Sequence, residues 1–204
     1  MQAIAPIKTE AVSFEDYLRL YDSYEGGTTE WLDGEVYIYP MTNNIKHQSV
    51  IFILALFLKV YLERTKVGIL IQSNIPMKID EKNAPEPDLM VLLNEHRDRV
   101  STYVQGAADI VVEVVSPESD ARDYGRKRLQ YEAAGVPEYW LIDETRDRII
   151  IYTRDGKLFS ERVLKNEPIT SHILTKFALD PSLLWDDEPE IEEVVSIVKK
   201  MLET

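Results

Sequence analysis

A single glutamate interrupts an aliphatic run in the stretch DIVVEVV, residues 109–115. The valines and isoleucine around Glu113 predict a β-strand that is covered on both faces. A lone carboxylate buried in such a strand is strongly destabilising unless it is ion-paired, protonated or bound to a metal. We therefore expect a partner for Glu113 from another part of the chain.

A second carboxylate stands in an analogous place. Asp88, in the stretch PEPDLMVLL, immediately precedes a predicted apolar strand at 89–93. Two neighbouring strands that carry acids at matching depth can place both carboxylates around one hard cation, which prefers oxygen ligands. Mg²⁺ (or Mn²⁺) held in that way stabilises charge on a phosphoryl group and activates water. Taken singly, Asp88 is equally consistent with a turn cap, and Glu113 with a salt bridge to an arginine.

A basic helix follows Glu113 in the chain. The stretch DARDYGRKRLQYEAA, residues 120–134, predicts a helix that ends at Gly135, and four of its residues between 122 and 128 are basic. Asp123, Lys127 and Tyr131 are spaced i, i+4 and share one face. This face is either a solvated row of ion pairs or the element that directs Lys127 toward Glu113. In the second case the lysine would orient an attacking water and neutralise charge on a phosphate.

Several other kinds of site are excluded by composition. The chain has no cysteine, which excludes thiolate nucleophiles and cysteine-ligated zinc or iron–sulfur sites. It contains no phosphate-binding glycine motif and no G-x-S-x-G. The three histidines, His47, His96 and His172, occur singly and lack the spacing of a zinc site.

The chain is acidic, with 23 basic and 36 acidic residues and a net charge of −13. Residues 180–204 hold eight acids and two bases, so this end alone carries −6. The overall field does not attract nucleic acid, unless the charge is patched or offset by a divalent metal. The N-terminus has no apolar signal core, and the longest apolar run, 50–58, is too short to span a bilayer. We expect a cytoplasmic protein that does not bind membranes.

The hydrophobic periodicity predicts a mixed β-sheet flanked by helices, an α/β (α+β) fold. The predicted helices are 13–22 with Ser13 as N-cap, 45–65, 120–134 and 189–202, the last with a stripe of Ile191, Val194, Val195, Val198 and Leu202. The predicted strands are 67–73, 75–80, 89–93, 109–115, 138–143 and 169–174, with hairpins at Asp33-Gly34 and, within 146–164, at Asp155-Gly156. Whether strands 109–115 and 138–143 are parallel stays open.

The sequence resembles a large bacterial family of predicted restriction endonucleases within the PD-(D/E)XK nuclease superfamily. The resemblance runs from about Phe14 to Asp180 and is carried by PEPDLMVL, EVVSPES, the D-x-x-x-K of 123–127 and YEAAGVPEYWLID. The stretch E-x-x-D-G-E (30–35), Pro40-Met41 and His47 resemble the N-terminal part of that family. The resemblance implies a restriction-endonuclease-like fold with added N- and C-terminal hairpins.

The resemblance also implies a division of the chain and a set of site residues. One domain, 1–204, would comprise an N-terminal helix and hairpin (1–42), a catalytic core (43–145) and a C-terminal hairpin with an acidic helix (146–204). Asp88 matches the aspartate of the PD motif, and Glu113 matches the acid of (D/E)XK. These two would hold the metal, and both would be catalytic together with Lys127.

The match departs from the superfamily pattern in two places. The usual lysine, two residues after the acid, would fall at Val115, whose side chain cannot carry a charge. Lys127 on the following helix is therefore the candidate for this role. The superfamily often adds an acid from its first core helix, but the helix 45–65 offers only Glu63, near its far end. Glu35 on the preceding hairpin and His47 near the helix start are the candidates to replace it.

The activity implied is Mg²⁺-dependent hydrolysis of DNA phosphodiester bonds by an endonuclease. Three alternatives stay open. The chain could be a degenerate member of the family that binds nucleic acid or protein without cutting, or a metal-dependent enzyme that acts on another phosphate or ester. It could also be a structural oligomer in which Glu113 pairs with an arginine such as Arg126. The helix 45–65, apolar nearly all round, and the amphipathic C-terminal helix predict a homodimer. Tyr131, Tyr139 and Trp140 are expected in the core and at interfaces.

Overall fold

The computed structural model describes residues 7–24, 27–40, 44–72, 75–116, 122–185 and 188–203. The strands are β1 (Ile7–Ala11), β2 (Gly27–Leu32), β3 (Glu35–Pro40), β4 (Gly68–Gln72), β5 (Met77–Lys78), β6 (Leu89–Leu93), β7 (Val104–Gln105), β8 (Ile110–Val115), β9 (Glu138–Asp143), β10 (Arg148–Asp155), β11 (Leu158–Leu164), β12 (Ile169–Thr170) and β13 (Ala178–Leu179). The α-helices are α1 (Phe14–Ser23), α2 (Ile45–Thr65), α3 (Arg128–Ala134) and α4 (Ile191–Glu203). A π-helix, Arg122–Lys127, leads directly into α3.

A six-stranded mixed sheet forms the centre, in the order β11-β10-β9-β8-β6-β4. Strands β8 and β9 are parallel, and every other neighbouring pair in this sheet is antiparallel. A parallel pair needs a long crossover, and here the π-helix and α3 provide it. The parallel arrangement settles the question left open by the sequence.

Helices cover both faces of this sheet, as the pattern predicts. The helices α2 and α4 pack on one face with Ile110, Val112 and Val114 of β8. Val111 and Val115 point to the other face, where they pack with Tyr131 of α3. Side chains alternate along a strand, so Glu113 also points toward the face that α3 covers.

The long helix α2 begins after Asn44, whose Oδ1 accepts a hydrogen bond from the His47 backbone N–H at 3.1 Å. By length and composition alone α2 could cross a membrane, and half of its most apolar 18-residue stretch is buried inside the fold. Its buried residues include Ile53, Leu54 and Phe57, all fully inaccessible. The helix therefore forms the centre of the core on its side of the sheet.

The N-terminal segment forms a separate three-stranded sheet, in the order β1-β3-β2, with α1 beside it. The turn between β2 and β3 is Asp33-Gly34, with φ of 55° and 81°, as a two-residue hairpin with positive φ at both positions requires. Trp31 of β2 forms an antiparallel bridge with Ala84. This bridge fixes the hairpin beside the segment that leads to Asp88.

Several predicted elements are shorter or differently placed in the structure. Strands 75–80 and 169–174 reduce to β5 and β12 of two residues each; around β5 the N–H of Met77 bonds to Pro85 O and that of Ile79 to Asn83 O. The second hairpin pairs Asp155 with Leu158, so its turn lies one residue later than predicted. On α4 the buried residues are Val194, Val198 and Met201, whereas Ile191 is 52% exposed.

The predicted helix 120–134 is not α-helical throughout. Its first described part is the π-helix, and only Arg128–Ala134 is α-helical, ending at Gly135 with φ of 86°. Asp120, together with Pro117 and Glu118 of the EVVSPES stretch, lies outside the described residues, as does Met41.

Candidate active site

Glu113 is buried and paired with Lys127. Its side chain is 3% exposed, and its Oε1 accepts hydrogen bonds from Lys127 Nζ at 2.8 Å and from Tyr131 OH at 2.6 Å. Lys127 is itself only 2% exposed. The partner that the strand pattern required for Glu113 is therefore the lysine of the following helix.

The π-helix sets the direction of this lysine. Lys127 ends the π-helix and Tyr131 lies one turn further along, so both side chains face the sheet above Glu113. Asp123, one turn earlier, has Oδ1 at 3.9 Å from Lys127 Nζ. Wide π turns inside α-helices are rare and occur frequently at functional sites. Here the wide turn carries a buried acid, Asp123, and a buried base, Lys127.

Asp88 lies directly beside this cluster. The antiparallel register of β6 and β8 pairs Leu89 with Val112, so one further step places Asp88 opposite Glu113. Asp88 Oδ2 accepts a hydrogen bond from the Val114 backbone N–H at 2.7 Å, and the side chain is 21% exposed. The two carboxylates thus stand at matching depth on neighbouring strands.

His47, in the first turn of α2, lies close to Asp88. Its Nε2 lies 2.8 Å from Val114 O and 3.9 Å from Asp88 Oδ2. A carbonyl oxygen only accepts hydrogen bonds, so Nε2 carries the proton. The structure therefore places His47 beside one of the carboxylates, with its side chain 14% exposed.

Glu35 and Glu63 lie away from the cluster. Glu35 Oε2 is 2.7 Å from Lys8 Nζ, and Glu63 pairs at 2.9 Å with both Lys59 and Lys66 on the exposed end of α2. The acid that reaches the site from the N-terminal hairpin is instead Glu30, whose Oε1 is 2.9 Å from Lys127 Nζ.

Glu30 was not among the predicted site residues, although it begins the stretch E-x-x-D-G-E (30–35) that resembles the family. Glu30 is 2% exposed and lies between Thr29 and Trp31, both of which are buried in β2. A glutamate enclosed by strand-forming residues is the same signal that drew attention to Glu113. Glu35 stands one residue after the turn, and that position leaves it partly exposed.

Lys127 therefore lies between two buried carboxylates that have different proton affinities. Burial raises the pKa of Glu113 to about 8; Lys127 opposes this, and Asp123 and Asp88 add to it. Burial also acts to raise the pKa of Glu30, but Lys127 and Arg122 outweigh it and hold the pKa of Glu30 below its usual value. The pKa of Lys127 is raised, because Glu113 and Glu30 outweigh the effect of its burial. The charged pair is thus Glu30 with Lys127, and Glu113 is the group that holds a proton near neutral pH.

Hydrogen bonds to Glu86 connect the segments that carry Glu30 and Asp88. Glu86 Oε1 accepts from Tyr17 OH at 2.9 Å and from Thr29 Oγ1 at 3.0 Å, which ties α1 and β2 to the Pro-Glu-Pro-Asp segment. Burial, with Glu30 nearby, raises the pKa of Glu86 to about 7. This arrangement fixes Glu30 and Asp88 relative to one another.

The donor set around Glu113 is one that a hard cation accepts. Within the described ranges no three His, Cys, Asp or Glu residues converge tightly enough to form a metal site on their own. Both hydrogen bonds that described side chains donate to the Glu113 carboxylate go to Oε1, so Oε2 can serve as an oxygen ligand together with Asp88. Mg²⁺ is commonly bound by one or two carboxylates, with water and substrate phosphate as its other ligands. Asp88 and Glu113 fit that pattern.

Comparison with known proteins now identifies the family. Residues 14–182 match the family Uma2, described as "Putative restriction endonuclease". The chain belongs to the Uma2 family. A search of curated proteins gives no match.

Among solved structures, this Uma2 chain is similar to a crystal structure from Anabaena variabilis ATCC 29413, described as "a putative nuclease belonging to DUF820". The TM-score is 0.69 and the sequence identity is 14%, and the match covers 92% of this chain and 99% of the other. The likeness confirms the predicted fold class, a restriction-endonuclease-like mixed sheet flanked by helices, and the family match confirms the resemblance found in the sequence.

Proposed function

We propose that this Uma2 chain is a divalent-metal-dependent endonuclease that hydrolyses phosphodiester bonds of DNA. The observation that carries the proposal is the 2.8 Å contact between Lys127 Nζ and Glu113 Oε1, next to Asp88 on the adjoining strand. The superfamily's usual lysine position is taken by Val115, and the π-helix supplies a lysine to the same carboxylate.

Asp88 and Glu113 would hold the metal, with Mg²⁺ or Mn²⁺ as the expected ion. A bound metal supplies a Lewis acid for the phosphoryl oxygen and lowers the pKa of a water. Metal ligands must be deprotonated, so Glu113 must lose its proton before or during binding. Its pKa of about 8 makes binding pH-dependent near neutrality.

The other residues of the cluster have distinct roles. Lys127 stays charged and neutralises negative charge that develops on the phosphate, while Glu30 fixes its ammonium group from the opposite side. Tyr131 orients the Glu113 carboxylate through its 2.6 Å hydrogen bond. His47, protonated at Nε2, adds a polar group at the Asp88 side.

A second candidate function is a catalytically degenerate protein that binds nucleic acid or protein. The net charge of −13 favours the protein-binding form of this candidate over a DNA-cutting enzyme, because an acidic protein gains no general attraction to DNA. The buried acid–lysine cluster favours the enzyme, since a buried charged pair adds little stability compared with an apolar pair of the same size.

The geometry disfavours the reading of Glu113 as part of a purely structural ion-pair network. That reading expects Glu113 to pair with an arginine such as Arg126. In the structure Arg126 Nη2 binds Asp33 Oδ2 at 2.7 Å, and Glu113 binds Lys127.

Plasmid nicking by the purified protein tests the proposal. The wild type, Glu113→Gln and Lys127→Met are incubated with Mg²⁺ or Mn²⁺, with EDTA as control, and Glu63→Gln serves as the matched surface variant. We expect metal-dependent nicking that both site variants lose and Glu63→Gln retains. Thermal unfolding of each variant verifies that it is folded.

Two results would contradict the proposal. Absence of metal-dependent nicking by the wild type on supercoiled, linear and single-stranded DNA would favour the binding protein. Nicking that survives in a folded Lys127→Met variant would keep the nuclease and remove the role assigned to this lysine.

A further inference from the structure

The central sheet has two edge strands, and they are protected very differently. Strand β11 lies at one edge and β4 at the other. The edge strand β11 carries Glu161 and Arg162, and the backbone N–H of Phe159 donates to the Glu132 carboxylate at 2.6 Å. Charged residues and covering side chains are among the means by which proteins keep an edge strand from pairing with another chain. The edge at β11 is therefore protected by the chain itself.

Within the described structure, strand β4 has neither kind of protection. The stretch VGILIQS, residues 67–73, contains no charged residue and no proline. Its aliphatic side chains Ile69, Leu70 and Ile71 are only half-buried, although they lie in the centre of the strand. An uncharged edge strand presents a row of unpaired backbone donors and acceptors that another strand can bind.

The register of the sheet shows which backbone groups of β4 face outward. Val91 O accepts a hydrogen bond from the N–H of Asp109, which immediately precedes β8, so Val91 is turned toward β8. The next residue, Leu92, is therefore turned toward β4, where it pairs with Ile69. The backbone groups that face away from the sheet then belong to every second residue of β4, namely Gly68, Leu70 and Gln72. Among the described residues, no hydrogen bond from outside the sheet reaches these positions.

These outward groups match a second copy of the same strand. In an antiparallel pair related by a twofold axis at Leu70, Leu70 faces its own copy and Gly68 faces Gln72. Each such hydrogen-bonded pair exchanges two backbone hydrogen bonds, which gives about six across the edge. Because residues 67–73 are uncharged, the two copies bring no like charges together along this edge, although each chain carries −13.

Helix α2, beside β4, supplies the apolar surface that such a contact also needs. A standard interface buries about 800 Å² from each partner, which is more than a five-residue strand offers. Helix α2 contacts β4, and only half of its most apolar stretch is buried within the chain. Phe52, Leu56 and Val60 follow one another at i, i+4 spacing along α2. Phe52 is 48% exposed, and Leu56 and Val60 are half-buried.

The same axis brings these apolar surfaces to one side. Side chains that face each other across an antiparallel pair lie on the same face of the sheet, so the two copies of α2 would cover the same face of the joined sheet. The C-terminal helix, the other element that predicted a homodimer, buries Val194 and Val198 within its own chain. The remaining apolar surface is therefore on α2 rather than on α4.

We propose that the outer edge of β4, with the adjoining exposed side of α2, is the surface through which two copies of this chain form a dimer. Their sheets join there into one continuous antiparallel arrangement across the twofold axis. The proposal uses none of the residues of the candidate site, so it does not depend on the proposed function.

Sedimentation velocity of the purified protein tests the proposal. We expect the wild type to sediment as a dimer, at twice the chain mass of 23.6 kDa, at micromolar concentrations. Leu70→Pro removes an outward donor at the axis and keeps the bonds to β6, since proline is tolerated on an edge strand where the N–H faces solvent. Leu70→Lys places two like charges opposite each other across the axis. We expect either change to raise the dimer dissociation constant by about tenfold or more.

Val163→Pro is the matched control, because it makes the same change on the opposite edge of the sheet. The backbone of Val163 faces outward from β11, as does that of Phe159. We expect this variant to remain a dimer, and circular dichroism verifies that each variant is folded.

Hydrogen exchange of the wild type gives a second measurement that needs no variant. The Leu70 amide should exchange more slowly as the protein concentration rises, because dimer formation pairs it, whereas the Val163 amide should exchange at a constant rate. This measurement decides the question if the Leu70 variants fail to fold.

Three results would overturn the proposal. The first is a wild type that stays monomeric up to near-millimolar concentration. The second is a dimer that persists in folded Leu70→Pro and Leu70→Lys variants, or that Val163→Pro weakens equally. The third is a Leu70 amide whose exchange rate does not change with protein concentration.

Discussion

Removal of the Glu113 carboxylate should change how the stability of the metal-free protein depends on pH. Burial raises the pKa of this group to about 8, from an ordinary value of 4.5. Between these two values the native state keeps a proton on Glu113 that the unfolded chain has already lost. The substitution Glu113→Gln removes the titration and keeps a side chain of similar size at the end of the Lys127 contact.

The sign and the magnitude follow from proton linkage. The native state binds more protons than the unfolded chain in this window, so the free energy of unfolding falls as the pH rises. The fall is at most about 1.4 kcal/mol for each pH unit, or about 3 kcal/mol from pH 5.5 to 7.5. Below pH 4.5 both states hold the proton, and above pH 8 neither does, so the effect is confined between these values.

Other groups of the cluster do not obscure the effect. Lys127 has a raised pKa and stays charged throughout the window, and Glu30 has a lowered pKa, so its contribution is complete above pH 4.5 and lost only below it. Glu86, with a pKa of about 7, adds a fall of the same sign, but it does so in the wild type and in the variant alike. The difference between the two proteins isolates Glu113.

Urea unfolding followed by circular dichroism measures this difference. The wild type, Glu113→Gln and Glu63→Gln are compared at pH 5.5 and 7.5 in EDTA. We expect the free energy of unfolding of the wild type and of Glu63→Gln to fall by about 2–3 kcal/mol more than that of Glu113→Gln between these pH values. Glu63 is an exposed carboxylate whose pKa is lowered by Lys59 and Lys66, so its loss leaves the pH dependence in this window unchanged. Identical pH dependence in all three proteins would refute the reasoning, because it would mean that Glu113 is ionised in the native state.

Two further predictions concern packing around the site and at the sheet edge. Tyr131→Phe removes the hydroxyl that donates to Glu113 at 2.6 Å. We expect the free energy of unfolding, measured with urea, to fall by about 1 kcal/mol at pH 6 and by about 2 kcal/mol at pH 9, because the acceptor is charged at pH 9. Equal losses at both pH values would contradict this prediction. Gly68→Ala would place a Cβ 2.3 Å from the Leu92 carbonyl oxygen and should lower stability by about 1–3 kcal/mol, measured by thermal unfolding. Gly125→Ala meets no atom within 4 Å and should leave stability unchanged or slightly higher, so similar losses for the two variants would show that the close approach at Gly68 is absent.

The elements with strong periodic patterns could be predicted from the sequence. Helix α2 and strands β6 and β9 have the predicted bounds, because a long apolar helix with an Asn cap and short aliphatic runs leave few alternatives. The two-residue strands β5 and β12 were predicted too long. Beside β5 the Ile79 N–H bonds to Asn83 O, and beside β12 the His172 N–H bonds to the Glu138 carboxylate, and no local pattern reveals these partners. The π-helix was not predicted, because residue types over six positions do not distinguish a π turn from an α turn.

The sequence by itself determined that Glu113 needs a partner, that Asp88 and Lys127 were the candidates, and that the chain resembles the family to which it belongs. These inferences depend on residue types within short stretches, where the cost of burying a charge and the spacing of a helix are local properties. Only the tertiary structure decided that β8 and β9 are parallel and that Glu30, 97 residues before Lys127, completes the cluster in place of Glu35. The reason is physical: strand register and helix direction are set by packing between distant segments, and a change of one residue in register turns a side chain to the other face of its sheet.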